Sequence, residues 1–354
     1  MKILALDIGA GTQDILLYDD DKNIENCIKL VLPSPHLIYA PKVNEATTLR
    51  QDLFVQGDII GGGAFTVALR KHVQSGLRVI MTEKSAYTVR NSLSEVKGLG
   101  IEISREQPET FSGKTLTIEE VDLSSLGSFL APFNENLSDL DAVAVAVQDH
   151  GVSPKGMSNR KFRIQKMREC LKDDPRPENL AFGEGAIPPY FLRMRSAAEA
   201  SRRQLPEAKV VVMDTSPAAI LGCLKDPTLD EVDPLFVVNV GNGHTMVAII
   251  KERKIVGLLD HHTHLLNPKK IERLLIDFAN GDLSNEDIFN DSGHGLFFLD
   301  EPPGFSNIKM IAATGPNRRI LSKTSLPVYF AVPAGDVMMT GPIGLVEATK
   351  KKLF

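Results

Sequence analysis

The chain has 354 residues, of which 43% are hydrophobic and 24% are charged. This composition is typical of globular proteins, and it excludes disordered, collagen-like and mucin-like chains. The formal net charge of -5 leaves no sequence-wide basic field that would attract nucleic acid or anionic lipid. The length predicts about two domains, although one large α/β unit also fits it.

The three cysteines, Cys27, Cys170 and Cys223, are too scattered for a disulfide framework or a zinc site, which predicts a reducing compartment. The amino terminus reaches Asp7 before a signal-peptide core of about 7 to 15 apolar residues is complete. The uncharged run 235–250 is shorter than the roughly 18 residues that indicate a membrane-spanning helix. We therefore expect a cytoplasmic protein.

Two similar segments open the two halves of the chain. Residues 3–18, ILALDIGAGTQDILLY, align without a gap with residues 235–250, LFVVNVGNGHTMVAII. Asp7 coincides with Asn239, and the two glycines of the first segment coincide with two glycines of the second. Each copy predicts two strands joined by a glycine turn, followed by a charged hairpin and a third strand.

Strand and helix patterns alternate along the rest of the chain. Apolar runs predict strands at 141–147, 209–213 and 308–313, and helical spacing predicts helices at 64–73, 86–96, 217–224 and 269–279. This alternation predicts the α/β class. Residues 102–140 are polar and weakly patterned, so they stay unassigned.

Residues 155–209 contain more Lys and Arg than Asp and Glu, whereas the remainder of the chain is acidic. Two interpretations are open for this segment. The charges form a solvated helix face, or they form a basic wall that faces an anionic substrate.

The repeated glycine turn is suited to binding phosphate. Its glycines remove side chains where the backbone must approach a ligand, and amide and hydroxyl donors point at that ligand. A single turn of this kind is also ordinary hairpin chemistry, so the second copy strengthens the prediction. Neither copy is a dinucleotide fingerprint or a Walker loop, because no helix follows directly and no Gly-Lys-Thr is present.

The sequence resembles the actin, sugar kinase and heat-shock chaperone superfamily of ATP-binding proteins. Five segments carry the resemblance in the superfamily's order: the first phosphate loop DIGAGT (7–12), the connecting helix DTSPAAILG (214–222), the second phosphate loop NVGNGHT (239–245), the adenosine turn IAATGPNR (311–318) and the final helix GPIGLVEA (341–348). The resemblance implies two ribonuclease-H-like (actin-like ATPase) domains that form an interdomain nucleotide cleft.

The implied first domain is 1–208, with a helical, basic insertion at about 150–208, and the implied second domain is 209–354, with its terminal helix at the interdomain hinge. The implied ligands are ATP or ADP and Mg²⁺. The implied nucleotide-binding residues are Asp7, Gly9, Ala10, Gly11, Thr12, Gln13, Gly241, Asn242, Gly243, His244, Thr245, Thr314, Gly315, Asn317 and Arg318.

Two residues depart from the superfamily pattern. Asn239 replaces the acidic residue that is common in the second loop, so this position supplies no charge for a metal. Pro316 stands where a second glycine is commoner, and proline has no amide donor. The Gly241-Asn-Gly243 sequence also resembles the second phosphate loop of acetate-type kinases, which implies a carboxylate or acyl phosphate as a candidate substrate.

Three aspartates are candidates for the chemistry of phosphoryl transfer. Asp7 is predicted to hold Mg²⁺ through water, or to close a hairpin turn. Asp214 is predicted to orient water or act as a base, or to cap the following helix. Asp149 follows a buried strand, where strand ends line clefts in open α/β sheets, and is a second candidate base.

The run Asp260-His-His-Thr-His264 is the most unusual local feature. On a strand, Asp260, His262 and His264 share one face and are candidate metal ligands, and a polar cleft rim is the alternative. His294 lies between two glycines, where it belongs to the same rim or to a turn.

More narrowly, the chain resembles an uncharacterised microbial family often labelled pyruvate formate-lyase-activating enzyme. A radical-SAM activase needs three closely spaced cysteines for its iron-sulfur cluster, and the sequence has no Cys-x-x-x-Cys-x-x-Cys. We reject that chemistry.

Three functions follow as hypotheses. The first is an ATP-binding phosphotransferase or ATPase that acts on a small anionic substrate. The second is a nucleotide-dependent switch or partner-activating ATPase, for which Asn239 leaves room. The third is a member that binds a ligand or a metal without catalysis.

Overall fold

The structure, a computed structural model, describes residues 1–354 and contains sixteen strands in three sheets. The strands are β1 (Lys2–Ile8), β2 (Thr12–Asp19), β3 (Ile28–Pro33), β4 (Leu53–Gly57), β5 (Val79–Thr82), β6 (Glu102–Ser104), β7 (Lys114–Ile118), β8 (Ala142–Val147), β9 (Ala181–Gly183), β10 (Lys209–Met213), β11 (Leu235–Val240), β12 (His244–Lys251), β13 (Lys254–His262), β14 (Gly295–Phe298), β15 (Met310–Thr314) and β16 (Val328–Phe330).

Eleven α-helices connect and cover these strands. They are α1 (Pro35–Thr48), α2 (Gly63–Gln74), α3 (Glu83–Ala86), α4 (Leu93–Gly98), α5 (Leu123–Leu130), α6 (Asn159–Leu171), α7 (Leu192–Gln204), α8 (Thr215–Cys223), α9 (Pro268–Asn280), α10 (Asn285–Asn290) and α11 (Thr340–Leu353). None of these helices combines the length and the apolar character needed to cross a bilayer.

The two halves contain the same sheet. In the first half β3, β2 and β1 form an antiparallel meander, and β8 and β10 continue it in parallel on the other side of β1. In the second half β13, β12 and β11 form the meander, and β15 and β16 continue it in parallel. This strand order is that of a ribonuclease-H-like domain, so the predicted repeat and the predicted fold class are confirmed.

Short edge strands extend both sheets, β9 beside β10 and β14 beside β13. The central strands are buried on both faces: every residue of β8 and of β11 is buried. The β8 sequence alternates Ala and Val, and its alanines face the core shared by the two halves, whereas its valines pack under α5 and α7. Continuous apolar runs of this kind are expected where helices cover both faces of a sheet.

A third sheet lies between β3 and β8 in the sequence. Its strands β6, β5, β4 and β7 are all parallel, and α1 to α4 pack with them around a separate core. The single helix predicted at 86–96 is wrong, because α3 ends at Ala86 and α4 starts at Leu93. Asn91 and Ser92 lie at the break, and such side chains compete with the helical backbone for hydrogen bonds.

The structure differs from the predicted domain boundary. Lys209–Met213 pairs with β8 as the fifth strand of the first sheet, and the second sheet starts only at Leu235. Residues 150–208 are also more than an inserted helical region, since they supply the edge strand β9 and the helix α7, which connects β8 to β10. We therefore place the boundary between the first half and the second half of the chain after α8.

Helices α8 and α11 cross between the two sheets with their backbones in close contact. A Cβ atom on Gly222 would collide with the carbonyl of Thr340, and one on Gly344 would collide with the carbonyl of Ala218. Only glycine permits this approach. The small residues of both helices therefore set the distance between the halves.

We expect Gly344→Ala to destabilise the protein by about 1–3 kcal/mol, because the added methyl group meets backbone rather than a flexible side chain. Gly98→Ala is the matched control, since Gly98 is an exposed helical glycine with nothing within 4 Å of an added Cβ. Urea denaturation checks both variants. Equal midpoints for Gly344→Ala and the wild type would contradict the packing account.

Candidate functional site

A cleft with a cavity volume of about 370 Å³ lies between the halves, where β1 and β11 end in their glycine turns. Gly9 and Gly241 occupy the same place in the two turns, and each donates its N–H to a carbonyl three residues later, at 2.9 Å in both cases. The repeat therefore extends to the hydrogen bonding of the turns.

The two glycine turns contact each other across the cleft. A Cβ atom on Gly11 would collide with the Asn242 side chain, and one on Gly243 would lie 3.7 Å from the Cβ of Ala10. The 3.7 Å separation is an ordinary contact, so the missing side chain matters at Gly11, where the Asn242 side chain fills the space.

Ten of the fifteen predicted nucleotide-binding residues line the cleft. They are Asp7, Gly9, Ala10, Thr12, Gly241, Asn242, Gly243, His244, Thr314 and Gly315. They come from both halves, and the structure brings them together although more than 300 positions separate Asp7 from Gly315.

The other five predicted residues do not line the cleft but contact residues that do or lie next to them. Gly11 packs against Asn242, as described above. The Asn317 side chain donates to the Gly241 carbonyl at 3.0 Å, and Arg318 Nη1 donates to the Gly315 carbonyl at 3.0 Å. Gln13 Nε2 donates to the Pro33 carbonyl, and the Thr245 hydroxyl bonds to that of Thr263. These five residues therefore do not line the cleft in this structure.

Asp7 and Asp14 form a pair of carboxylates on the cleft wall. They are directly opposite each other in the β1–β2 ladder, and each has a buried Oδ1 atom without a hydrogen-bond partner. Burial raises the pKa of Asp7 well above its usual value, and Asp14 and Asp214 raise it further. Burial also raises the pKa of Asp14 to about 7.

The sequence analysis missed Asp14, although its signal was present. A hairpin that places Asp7 on one strand puts the residue of matching register on its neighbour beside it. Mg²⁺ prefers carboxylate oxygens and keeps part of its water shell. Two unpartnered carboxylate oxygens at one point of the cleft fit such an ion, so Asp7 and Asp14 are the residues that would hold it.

Asp214 does not line the cleft. Its Oδ1 accepts from the Ser216 N–H at the start of α8, and both of its oxygens accept from the Arg163 guanidinium, at 2.7 and 3.3 Å. The helix-cap interpretation therefore describes this carboxylate, and its predicted role as a base is corrected, because Arg163 holds it in a buried ion pair.

Asp149 lies on the cleft, but its oxygens are also engaged. Oδ1 accepts from the Gly151 N–H at 2.9 Å, and Oδ2 accepts from the Arg193 and Met194 N–H groups at the start of α7. Burial raises the pKa of Asp149, against the lowering effect of these bonds. Asp149 thus caps α7 from outside the helix.

Arg163 connects the two halves from the interior of the protein. It extends from α6, is fully buried, and pairs with Asp214 after β10 and with Asp260 on β13. Burial alone would raise the pKa of Asp260, but Arg163, His294 and His244 outweigh it and hold that pKa well below its usual value. Asp260 is therefore anionic at neutral pH.

Four histidine rings pack against one another beside the cleft, and we call them the histidine cluster: His150, His244, His262 and His294. Two of them, His244 and His294, contact the Asp260 carboxylate. Burial lowers the pKa of His150 well below its usual value and that of His262 to about 4, and the neighbouring positive charges add to the effect. Burial likewise lowers the pKa of His294. These three rings are neutral at pH 7.

The predicted metal-ligand set of Asp260, His262 and His264 is corrected by this geometry. The Asp260 oxygens already face Arg163, His244 and His294, and His264 is exposed with its ring 5.5 Å from that of His262. The histidines with ligand atoms close together are instead His150, His244 and His294. Sequence spacing did not indicate this set, because its members come from three separate segments.

The basic segment does not form a wall of the cleft. Arg193 is its one Lys or Arg residue in the lining, and its guanidinium pairs with the buried Glu120 at 2.6 Å. Other members pair with acidic side chains elsewhere, as Lys161 does with Glu286. The interpretation as charged helix faces fits these contacts.

All three cysteines are free; Cys27 and Cys223 are buried and Cys170 is partly buried. None of them belongs to a group of side chains spaced to hold a metal ion.

The two ribonuclease-H-like sheets and the cleft between them define the actin-like ATPase fold. A family model described as "Putative pyruvate format-lyase activating enzyme (DUF1786)" matches residues 60–320. The chain belongs to this family. A comparison with curated proteins finds no match.

Three solved structures illustrate the similarity to known folds. A Listeria monocytogenes protein described as "a putative N-acetylmannosamine kinase" is 12% identical, with 99% of each chain covered and a TM-score of 0.38. The activator of the 2-hydroxyisocaproyl-CoA dehydratase from Clostridium difficile, with bound ADPNP, is 8% identical, covers 99% of this chain and 97% of its own, and has a TM-score of 0.35.

A ROK family glucokinase from Streptomyces griseus, in complex with glucose and AMPPNP, is 11% identical, with 99% of each chain covered and a TM-score of 0.32. At these TM-scores the assignment of the fold rests on the strand order of the two sheets.

We expect Arg163→Met to destabilise the protein by about 3–5 kcal/mol, because it leaves Asp214 and Asp260 buried without their partner. Arg273→Met is the control, since the Arg273 side chain is 84% exposed and its pairing with Asp277 contributes about 0.5 kcal/mol or less. Guanidinium denaturation measures both. A loss below about 1 kcal/mol for Arg163→Met would show that the buried pairs do not hold the halves together.

Proposed function

We propose that the protein is an ATP-binding phosphotransferase or ATPase whose nucleotide lies in the cleft between the halves. The observation that carries the proposal is the pair of facing glycine turns, which share one hydrogen-bond pattern and border the two unpartnered carboxylates. Backbone without side chains on both sides suits the phosphates of a nucleotide.

The proposed triphosphate runs between the glycine turns, with the Thr12 hydroxyl in the first turn and Asn242 in the second beside it. Thr314 and Gly315 border the adenosine end of the cleft, where the positive φ of Gly315 and its contact with the Val240 carbonyl leave no room for a side chain. These features support the binding of a nucleotide in this orientation.

Asp7 and Asp14 are the residues proposed to hold Mg²⁺. When bound, the ion neutralises phosphate charge during transfer. Gly341 lies so close to Asp7 that a Cβ atom there would collide with the carboxylate, so α11 keeps the Asp7 side chain in its place on the cleft wall.

Asp149 is the proposed group that orients the attacking water or hydroxyl, because it is the predicted base that reaches the cleft. Its hydrogen bonds from the start of α7 fix its orientation. A small anionic substrate would meet Arg193 and the Gly61–Gly63 turn, which line the same cleft.

The second candidate is a nucleotide-dependent switch or partner-activating ATPase. The contact between Gly11 and Asn242 favours it, because a phosphate placed between the turns changes the spacing of the two halves. In this function slow hydrolysis would control a partner through opening and closing of the cleft, and a protein fraction would stimulate hydrolysis where small molecules do not.

Isothermal titration of the full chain with Mg-ATP and Mg-ADP tests the proposal. We expect binding by the wild type and an affinity about 10–100-fold lower for Asp7→Asn, because a charge-assisted interaction contributes about 1.5–3 kcal/mol. Asp21→Asn is the matched control, since Asp21 is an exposed aspartate on the hairpin after β2. No binding at millimolar nucleotide, or equal affinities for Asp7→Asn and the wild type, would overturn the proposal.

A further inference from the structure

We infer that His150, His244 and His294 form a binding site for a divalent transition-metal ion of the zinc type, with one coordination position open to the cleft. The site is distinct from the carboxylate pair proposed for Mg²⁺, and its residues differ from the run at 260–264. The inference does not depend on nucleotide binding.

The three histidines come from both halves of the molecule. His150 follows β8 of the first sheet, His244 begins β12 of the second sheet, and His294 directly precedes β14. Their ligand nitrogens all lie within 4.8 Å of one another. Nitrogens around a tetrahedral zinc ion with bonds of about 2.0–2.1 Å are about 3.4 Å apart. Small side-chain rotations would therefore close the site.

Asp260 lies beside two of the three rings and accepts a hydrogen bond from one of them, His244. Its Oδ1 lies 3.4 Å from Nδ1 of His244, and its Oδ2 lies 3.1 Å from Nδ1 of His294. A carboxylate only accepts, so Nδ1 of His244 carries the hydrogen and Nε2 of His244 keeps its lone pair, whereas Nδ1 of His294 also lies 3.5 Å from the Arg163 Nη1 donor. Metal-binding histidines are commonly oriented in this way by a carboxylate on the far ring nitrogen.

The Nε2 atom of His294 is the independent sign of a ligand. The His294 side chain is fully buried, and this nitrogen has no hydrogen-bond partner. A buried polar atom without a partner costs about 1–3 kcal/mol, and native proteins leave few such atoms. A metal ion among the three rings would satisfy it.

The donor set determines the class of ion. Three imidazoles suit Zn²⁺ and other late divalent metals, whereas Mg²⁺ and Ca²⁺ require oxygen ligands. Three protein ligands leave the fourth tetrahedral position of zinc for water or a substrate oxygen. Because His150 and His244 line the cleft, that position is open to the cleft.

His262 lies next to this set, with its ring centroid 4.8 Å from those of both His244 and His294. It is the candidate for a further ligand or for a hydrogen bond to the metal-bound water. The test therefore treats His262 separately from the three proposed ligands.

The experiment is titration of chelator-treated full chain with Zn²⁺ in the absence of nucleotide, followed by isothermal calorimetry, with Co²⁺ absorption as a second readout. We expect one ion per chain. His150→Ala, whose side chain lies on the cleft wall and has no structural hydrogen bond to lose, should weaken binding by more than about 100-fold, since it removes a direct ligand. Asp260→Asn should weaken binding by about 10–100-fold through the ring orientation.

His264→Ala is the matched control. His264 is an exposed histidine two residues after the end of β13, and it lies outside the proposed set. It should bind Zn²⁺ as the wild type does. Circular dichroism establishes that each variant is folded, and His150→Ala keeps the test valid if Asp260→Asn fails to fold. The inference is overturned if the wild type binds no Zn²⁺, if His150→Ala binds as tightly as the wild type, or if His264→Ala loses as much affinity as His150→Ala.

Discussion

The architecture of this protein depends on one buried guanidinium. Arg163 lies between Asp214 at the start of α8 and Asp260 on β13, and all three side chains are shielded from solvent. Burying three charges is costly unless each is paired and hydrogen-bonded, and here each charge has its partner. The arrangement therefore exists only when the two halves are in their observed positions, and it couples α6, α8 and the second sheet.

The cleft follows from this coupling. With α8 fixed at its amino end, its glycine face meets α11 at backbone distance, and α11 in turn lies against Asp7. The glycine turns meet across the cleft, and Asp260 accepts a hydrogen bond from His244 and lies 3.1 Å from Nδ1 of His294. The facing glycine turns and the histidine cluster thus both adjoin this ion-pair network, although they belong to different segments of the chain.

The features that could be predicted from the sequence are those that local residue patterns determine, namely strands, turns and their repetition. The repeated strand, glycine turn and strand are regular alternations of apolar residues and turn residues, so the two sheets were predicted correctly, and ten of the predicted nucleotide-binding residues line one cleft. The fifth strand of the first sheet was assigned to the wrong half, because an apolar run such as 209–213 carries no information about which sheet it joins.

Long-range pairing could not be predicted in this way. Arg163 belongs to a basic helix that resembles a solvated face, and its partners lie 51 and 97 positions away. Asp214 therefore looked like a free carboxylate after a strand. His294 was linked only to the polar rim at 260–264 or to a turn, and only the fold shows that it converges with His150 and His244. Asp14 was the exception, since its hairpin register was readable from the sequence.

The central claim is that one cleft holds the phosphates between the glycine turns and a metal ion among the histidines. Crystals of the full chain grown with Mg²⁺, Zn²⁺ and a non-hydrolysable ATP analogue test it directly, through anomalous diffraction at the zinc edge. The account predicts a triphosphate between the turns at Gly9–Thr12 and Gly241–His244, and an anomalous peak among His150, His244 and His294. A triphosphate bound elsewhere, or no zinc peak at these rings, would contradict it.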